Sequence, residues 1–386
     1  MIYLDYAATT PLSEHALTTY GEVSRKVFAN TMSLHDDGSR ASRLLELCRR
    51  NIAERLNADA NGIYFTSGGS ESNQLAIEGL ARAHAGQGKH LIMAEGEHTS
   101  VVSTFEKLKK DGFSVTVLPR NSDGEITAKA VEKAVRKETI LVSVDHVNSE
   151  TGAIQNIAAI GDILRKRKIL FHCDTVQSYG KLPIDVRAMH VTSLSVSSHK
   201  IYGPKGVGVC YINPKAAYQP LYPGTAHERG VRPGTVNLPG IAAFVTASQD
   251  SYEKAEKNIE YVRRLRKIFV DGLNRRKIHF VMEQAKHRQL PHILALRIKG
   301  VEGQQLMLAA NRRGLAVSTG SACQAGSHRP SPTLLSMGRS EDEARELVRV
   351  SFGETTTEEE ADRAARLFAE AVSETVQTMR MEQSFI

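Results

Sequence analysis

Between residues 60 and 212, short apolar runs rich in β-branched residues alternate with amphipathic stretches of helical period. Strands are expected at 62–66, 90–94, 114–118, 139–145, 169–173, 192–196 and 207–212, and helices at 70–85, 100–110, 128–137 and 157–166. This alternation predicts an α/β fold, a mainly parallel seven-stranded sheet with helices on both faces. In an open sheet of that kind, ligands collect beyond the C-terminal ends of the strands. After residue 250 the pattern changes to a long helix at 253–273, strands at 278–282, 293–298 and 348–352, and a closing helix at 357–379. The long helix carries apolar residues at Ile259, Val262, Leu265, Phe269 and Leu273. Thr356 with Glu359 reads as the capping box of the last helix. The expected division is a large domain over 15–250 and a smaller α+β domain made of 1–14 and 251–386.

A chain of 386 residues, 41% hydrophobic and 24% charged, fits a two-domain globular protein. No run of about 18 apolar residues is present, so no membrane-spanning helix is expected. The start, MIYLDYAATT, lacks the charged-then-apolar layout of a signal peptide, and cytoplasm is the expected location. The net charge of +7 is carried mostly on amphipathic helices beside Glu and Asp. It reads as a solvated face, with no nucleic-acid motif accompanying it. The four cysteines, Cys48, Cys173, Cys210 and Cys323, form no CxxC pair, which argues against a zinc site or a disulfide scaffold, and no metal is expected. Cys48, Cys173 and Cys210 lie in helix- or strand-like runs and read as packed thiols.

Six stretches carry candidate chemistry. In SLSVSSHKIYGPKGVG, from Ser193 to Gly208, Lys200 sits where a buried strand ends. A lysine in such a place is either a surface residue of the turn or a desolvated amine fit to form a Schiff base. Thr66-Ser67-Gly68-Gly69-Ser70-Glu71 runs from a strand into a helix, either a plain N-cap or an anion cradle of backbone N–H groups. His98 follows the next strand and is either solvated or placed to stack on a flat ring. Asp174 ends a strand at Phe171-His172-Cys173-Asp174, with Gln177 three residues on, and reads as a helix N-cap or as a partner for a protonated ring nitrogen. Near the C-terminus, Cys323 lies among small polar residues in Ser318-Thr319-Gly320-Ser321-Ala322-Cys323, as an exposed nucleophile would. Arg349, in the middle of a strand, is either half of a structural ion pair or a clamp for a carboxylate.

Taken together and in order, YLDYAATT, TSGGSES, EHTS, HCDTVQSYGKLPID, SSHKIYGPKGVG, Arg232-Pro233-Gly234-Thr235 and STGSAC resemble the NifS/IscS-type cysteine desulfurases. These are pyridoxal-phosphate enzymes of the class V aminotransferase group, with the fold type I architecture. The resemblance implies that pyridoxal 5'-phosphate is held covalently by Lys200, under His98. It implies that Asp174 pairs with the ring nitrogen, Gln177 with the ring oxygen, and Gly69, Ser70, Ser197 and His199 with the phosphate, with Thr235 contributing across a homodimer interface. Arg349 and Asn30 would hold the carboxylate of L-cysteine, and Lys200 would move the Cα proton. Cys323 would take the sulfur as a persulfide for an acceptor protein, in iron–sulfur cluster assembly or another sulfur-consuming route. Selenocysteine lyase or aminotransferase activity is the alternative within the same fold. The sequence departs from the family at Ser149, where a second Asn is usual, so either Asn148 or Ser149 is expected at the cofactor, and at Ser198, where Gly is common. It stops at Ile386, short of the tail with which some relatives dock a scaffold.

Overall fold

A computed structural model describes residues 1–320 and 329–384. In chain order the elements are β1 (Ile2–Tyr3), α1 (Glu14–Lys26), α2 (Asp36–Arg55), β2 (Ile63–Thr66), α3 (Gly69–Ala83), β3 (His90–Ala94), α4 (Thr99–Lys110), β4 (Ser114–Leu118), α5 (Ala128–Ala134), β5 (Thr139–Ser143), α6 (Ile157–Lys166), β6 (Leu170–Asp174), β7 (Ser193–Ser197) and β8 (Gly208–Ile212). Then follow α7 (Leu238–Arg275), β9 (Val281–Met282), β10 (Ile293–Arg297), α8 (Gly303–Arg312), β11 (Leu315–Ala316), α9 (Pro332–Ser336), α10 (Glu341–Arg345), β12 (Leu347–Ser351) and α11 (Glu358–Ser384).

The seven-stranded sheet has the order β2-β8-β7-β6-β5-β3-β4. All its strands are parallel except β8, which pairs antiparallel with both β2 and β7. This is the expected α/β sheet, and β8 reverses because only a short Gly- and Pro-rich turn joins it to β7. Strands β3, β5, β7 and β8 are buried along their whole length, since helices cover both faces. One face packs with α2 and α6 into a core that includes Ile52, Phe171, Val196 and Phe244, and the other packs with α3 and α4 around Leu80, Leu91 and Phe105. A separate core of Leu265, Phe269, Leu296, Leu306, Val350 and Phe368 joins α7, α8 and α11 to the antiparallel β12-β10-β9 sheet and the β1-β11 pair.

Helix α7 belongs to both. Its 38 residues span about 57 Å, with Leu238 to Val245 in the large-sheet core and Val262 to Leu273 in the second. The pattern predicted a start at 253, 15 residues late. The segment from Leu238 to Ala247 is buried nearly all round, so it lacks the one-sided stripe that marks an amphipathic helix, and Pro239 and Gly240 read as a loop. Pro239 instead lies in the first turn, and Asn237 caps it by accepting from Gly240 N–H at 3.1 Å. The expected domain boundary at 250/251 falls inside this continuous helix. The capping box of α11 also lies one residue later than expected. Glu360 N–H donates to Thr357 Oγ1 at 3.1 Å and Thr357 N–H to Glu360 at 3.0 Å, while buried Thr356 turns its hydroxyl to Gly353 N–H.

Among ion pairs in the large-sheet core, one joins three elements. Arg49 of α2 meets Glu228 through two bonds of 2.9 Å and donates to Ile63 O at 2.6 Å, and Glu228 also accepts from Phe65 N–H at 2.6 Å. The two side chains are 2% and 1% exposed, so removing one leaves a bare charge in the interior. Arg49→Ala is therefore expected to cost about 3–5 kcal/mol in urea unfolding, and Arg49→Ala/Glu228→Ala together less than the sum of the two single losses. A loss below about 1 kcal/mol for Arg49→Ala would show that the pair holds nothing together.

Candidate active site

The C-terminal ends of β2, β3, β5, β6 and β7 open onto one cleft of about 820 Å³. Its walls include Gly69, Ser70, His98, Asp174, Gln177, Ser197, His199, Lys200 and Arg349. Each of these except Arg349 lies at or just past a strand of the parallel sheet, as the architecture dictates.

Lys200 closes a single helical turn, Ser198–Lys200, directly after β7. Its Nζ donates to Ala7 O and Ala8 O, each at 2.7 Å. The segment from Asp5 to Thr10 thus roofs the cleft, and it is pinned further by Thr10 N–H donating to His199 O at 2.9 Å. His199 is placed by its Nδ1, 3.0 Å from Thr9 Oγ1, and burial pushes its pKa down to about 4.

At the floor lies Asp174, the last residue of β6 and 8% exposed. Burial pushes its pKa up. Against this act His98, the Asn73 amide donating to Oδ2 at 2.8 Å, and Val176 N–H donating to Oδ1 at 2.9 Å. Asn73 also donates to Ser100 Oγ at 3.0 Å, and its Oδ1 lies 3.0 Å from His172 Nε2. His98 caps α4, its Nδ1 3.2 Å from Ser100 N and 2.8 Å from Ser100 Oγ.

One end of the cleft is built by backbone. Gly68, at φ +153°, caps α3 with no side chain bonded to the first turn, which leaves N–H groups beside Gly69 and Ser70 for an anion. The approach is tight because Gly208 has no side chain, and a Cβ there would stand 2.5 Å from Gly68 Cα. At the other end is Arg349, 1% exposed on β12. It donates from one terminal nitrogen to Ser149 O at 2.9 Å and from the other to Asp5 at 3.0 Å, while its buried Nε has no partner among the described residues. Arg349 thus makes an ion pair with Asp5 and also lines the cleft.

The cleft gathers most of the residues expected from the sequence. Gln177 lines it but gives its amide to Ala7 O at 2.9 Å. Of the two candidates after β5, Ser149 lines the cleft. Asn148 is fully buried, its Oδ1 accepting from Glu150 N, Thr151 N and Thr151 Oγ1 and its amide nitrogen donating to Gly96 O, Asp145 Oδ2 and Thr333 Oγ1. Asn30 and Thr235 are exposed and line no part of the cleft formed by this single chain. Cys323 lies outside the described residues. The other three cysteines are buried, which pushes their thiols up and leaves them poor nucleophiles.

Sequence reasoning missed Asn73, His172 as its partner, and Asp145, which lines the cleft while paired with Arg120 at 2.8 Å. Asn73 is the fourth residue after Gly69, one helical turn into α3 on the same face, a spacing that holds the signal.

The cleft has the features of a pyridoxal-phosphate site: an amine at a strand end, a buried carboxylate able to hold a protonated ring nitrogen, an imidazole, and a helix N-terminus, all lining one cleft. In comparisons with known proteins, residues 2–364 match the family described as "Aminotransferase class-V". The chain is 45% identical over 370 residues to a "Putative cysteine desulfurase NifS" of Bacillus subtilis (strain 168), covering 95% of this chain and 94% of that one. Among solved structures it is similar to a "NIFS-LIKE PROTEIN", at a TM-score of 0.90 and 30% identity over 96% of this chain and 99% of the other. It is also similar to "SspA in complex with cysteine", at a TM-score of 0.82 and 34% identity over 91% and 99%.

Two buried imidazoles make this region sensitive to acid. Burial pushes His146 down to about 4 and His172 to about 3, so the folded chain stays unprotonated where the unfolded chain takes up protons. Their contribution is whole above pH 6.5 and is lost as the pH falls below it. At pH 5 each is expected to cost about 2 kcal/mol relative to pH 8. Urea titrations of the wild type and His172→Gln at the two pH values check this: the variant's pH-dependent loss is smaller by about 2 kcal/mol. Equal losses in the two proteins would mean that His172 is protonated in the folded state.

Proposed function

The chain belongs to the aminotransferase class-V family and within it to the cysteine desulfurases, and we propose that it converts L-cysteine to L-alanine while Cys323 takes the sulfur as a persulfide. The observation that carries this reading is the convergence of Lys200, Asp174 and Arg349 on one cleft. When bound, pyridoxal phosphate supplies an electron sink that loosens the bonds around Cα and Cβ of an attached amino acid.

The residues take the following roles. Lys200 is the attachment amine and, once displaced by substrate, takes the Cα proton on Nζ. Asp174 holds the proton at the ring nitrogen, which a desolvated carboxylate favours because the pair relieves its own burial. His98, Ser149 and Gln177, which line the same cleft, would hold the ring and its oxygen. The N-terminal turn of α3, with Ser70, Ser197 and His199, holds the phosphate. Arg349 binds the substrate carboxylate, its fork already aimed by Asp5 and by Ser149 O.

The Cys323 thiolate attacks the substrate sulfur. A sulfur–sulfur bond forms as the carbon–sulfur bond breaks, the electron pair stays with the substrate carbon, and alanine leaves after protonation there, return of the Cα proton from Lys200 Nζ and re-attachment of Lys200. The reaction is balanced without an outside oxidant or reductant.

Thr235 and Asn30 complete the site in a homodimer, Thr235 at the partner's phosphate and Asn30 at a substrate carboxylate. Their exposure supports this, as does the apolar surface near Asn30, where Phe28 is 76% and Leu34 99% exposed. The persulfide goes to an acceptor protein, in iron–sulfur assembly or another sulfur-consuming reaction, and the enzyme works in the cytoplasm. Among the described residues no helix is long and apolar enough to cross a membrane.

Cys323→Ala tests the assignment directly. The variant is expected to keep the visible absorbance of the bound cofactor and to lose alanine formation from cysteine by at least a hundredfold, in line with removal of a covalent nucleophile. Alanine release at the wild-type rate would transfer the role to another group.

A further inference from the structure

We propose that Asn73 is a positioning residue whose amide is locked in one orientation from its Ser100 side, with His172 taking the matching tautomer, so that Asp174 always meets an N–H donor and His98 carries its neutral proton on Nε2. The inference rests on the reading of the cleft given above and deepens it.

The lock follows from donor and acceptor counting. At one end, the backbone N–H of Ser100 lies 3.2 Å from His98 Nδ1, and a backbone N–H only donates. His98 Nδ1 is therefore an acceptor. Ser100 Oγ, 2.8 Å from the same nitrogen, must then give its own proton there. A hydroxyl that has spent its proton has only lone pairs left, so the Asn73 atom 3.0 Å away is the amide nitrogen, donating. That nitrogen holds a second proton, and Asp174 Oδ2 stands 2.8 Å from it.

At the other end, the remaining Asn73 atom is an oxygen and can only accept. His172 Nε2, 3.0 Å away, supplies the proton. His172 is fully buried and neutral, because burial drives its pKa down to about 3. With its one proton on Nε2, its Nδ1 accepts from Ser193 Oγ at 2.9 Å. The sequence of donors runs without conflict from Ser193 through His172, Asn73 and Ser100 to His98. All the side chains between the strand and His98 are neutral, and Asn73 itself is 1% exposed.

The consequence lies at Asp174. A buried carboxyl tends to keep its proton and act as a donor, and burial pushes this one up. To donate to Asn73 it would need the amide turned round, with its oxygen toward Oδ2. That turn would set two acceptors against each other at Ser100, whose one proton is spent on His98 Nδ1, and this is costly in the interior. His172 would follow the turn by moving its proton to Nδ1, so the Ser100 end holds the lock. The lock thus holds Asp174 as an acceptor, ready for a positive ring nitrogen. Through Ser100 it also fixes the His98 ring, with its proton on Nε2. His172 and Ser100 are positioning residues by the same argument.

The test combines nitrogen NMR of histidine-labelled holoenzyme with cofactor binding. In the wild type, His98 and His172 are each expected to carry a proton on Nε2 and none on Nδ1, and a proton on Nδ1 of either overturns the lock. Asn73→Ala is expected to weaken cofactor affinity roughly ten- to hundredfold, the effect of losing one hydrogen bond to a charged group, and to mix the His98 tautomers. KM for cysteine stays as it was, because Arg349 is untouched. Ser100→Thr keeps the hydroxyl and the wild-type tautomer, whereas Ser100→Ala does not. Asp174→Ala, measured alongside, separates the two levels of the argument. Unchanged cofactor affinity there overturns the reading of the cleft, and affinity lost there but retained in Asn73→Ala overturns the lock alone.

Discussion

A carboxylate at the end of a buried parallel strand is the constraint around which this protein is arranged. Asp174 leaves water when β6 takes its place in the middle of the sheet, and a bare charge there costs several kcal/mol. Two N–H donors, from Asn73 and Val176, meet part of that cost, and Asn73 is held to its task by a fully neutral relay. Among the described residues no Lys or Arg forms an ion pair with Asp174, and a protonated pyridine nitrogen would bring that positive charge. The proposed cofactor site is thus written into the electrostatics of the sheet.

The rest of the architecture brings distant chain to that point. The roof is the first ten residues, tied to Lys200 through Ala7 O and Ala8 O, and the carboxylate clamp comes from β12 at the other end of the sequence. Arg349 joins them by bonding Asp5 on one side and the turn after β5, at Ser149 O, on the other. The cleft therefore sits where the large sheet meets the second core, and α7, shared by both cores, fixes their relation. Arg349 and Asp174, the residues proposed to hold substrate and cofactor, come from different layers and face the same cleft.

Much of this is legible in the sequence, because strand ends in a parallel sheet are marked by the change from β-branched runs to small and polar residues. Lys200, Asp174, His98 and Gly69 all stand at such changes and all line the cleft. The first 15 residues of α7 were hidden because a helix buried all round has no polar face to show its period. The α11 cap was misplaced by one residue because Thr356 and Thr357 are adjacent, each followed three residues later by a Glu. Asn73 and His172 escaped notice because each is polar and buried for the other's sake, a pairing across 99 positions that no local pattern displays. Ser149 and Asn148 were indistinguishable in sequence; in the fold Ser149 lines the cleft, while Asn148 is buried and bonded to its own turn and to Asp145 beside the cleft.

The central claim is that a carbonyl cofactor is attached to Lys200 inside this cleft. Borohydride reduction of the purified enzyme, followed by digestion and mass spectrometry, measures it most directly. The account predicts one reduced pyridoxyl group per chain, on the peptide that contains Lys200, with Asp174→Ala reducing its yield. A label on any other lysine, or none in a preparation that turns over cysteine, would contradict it.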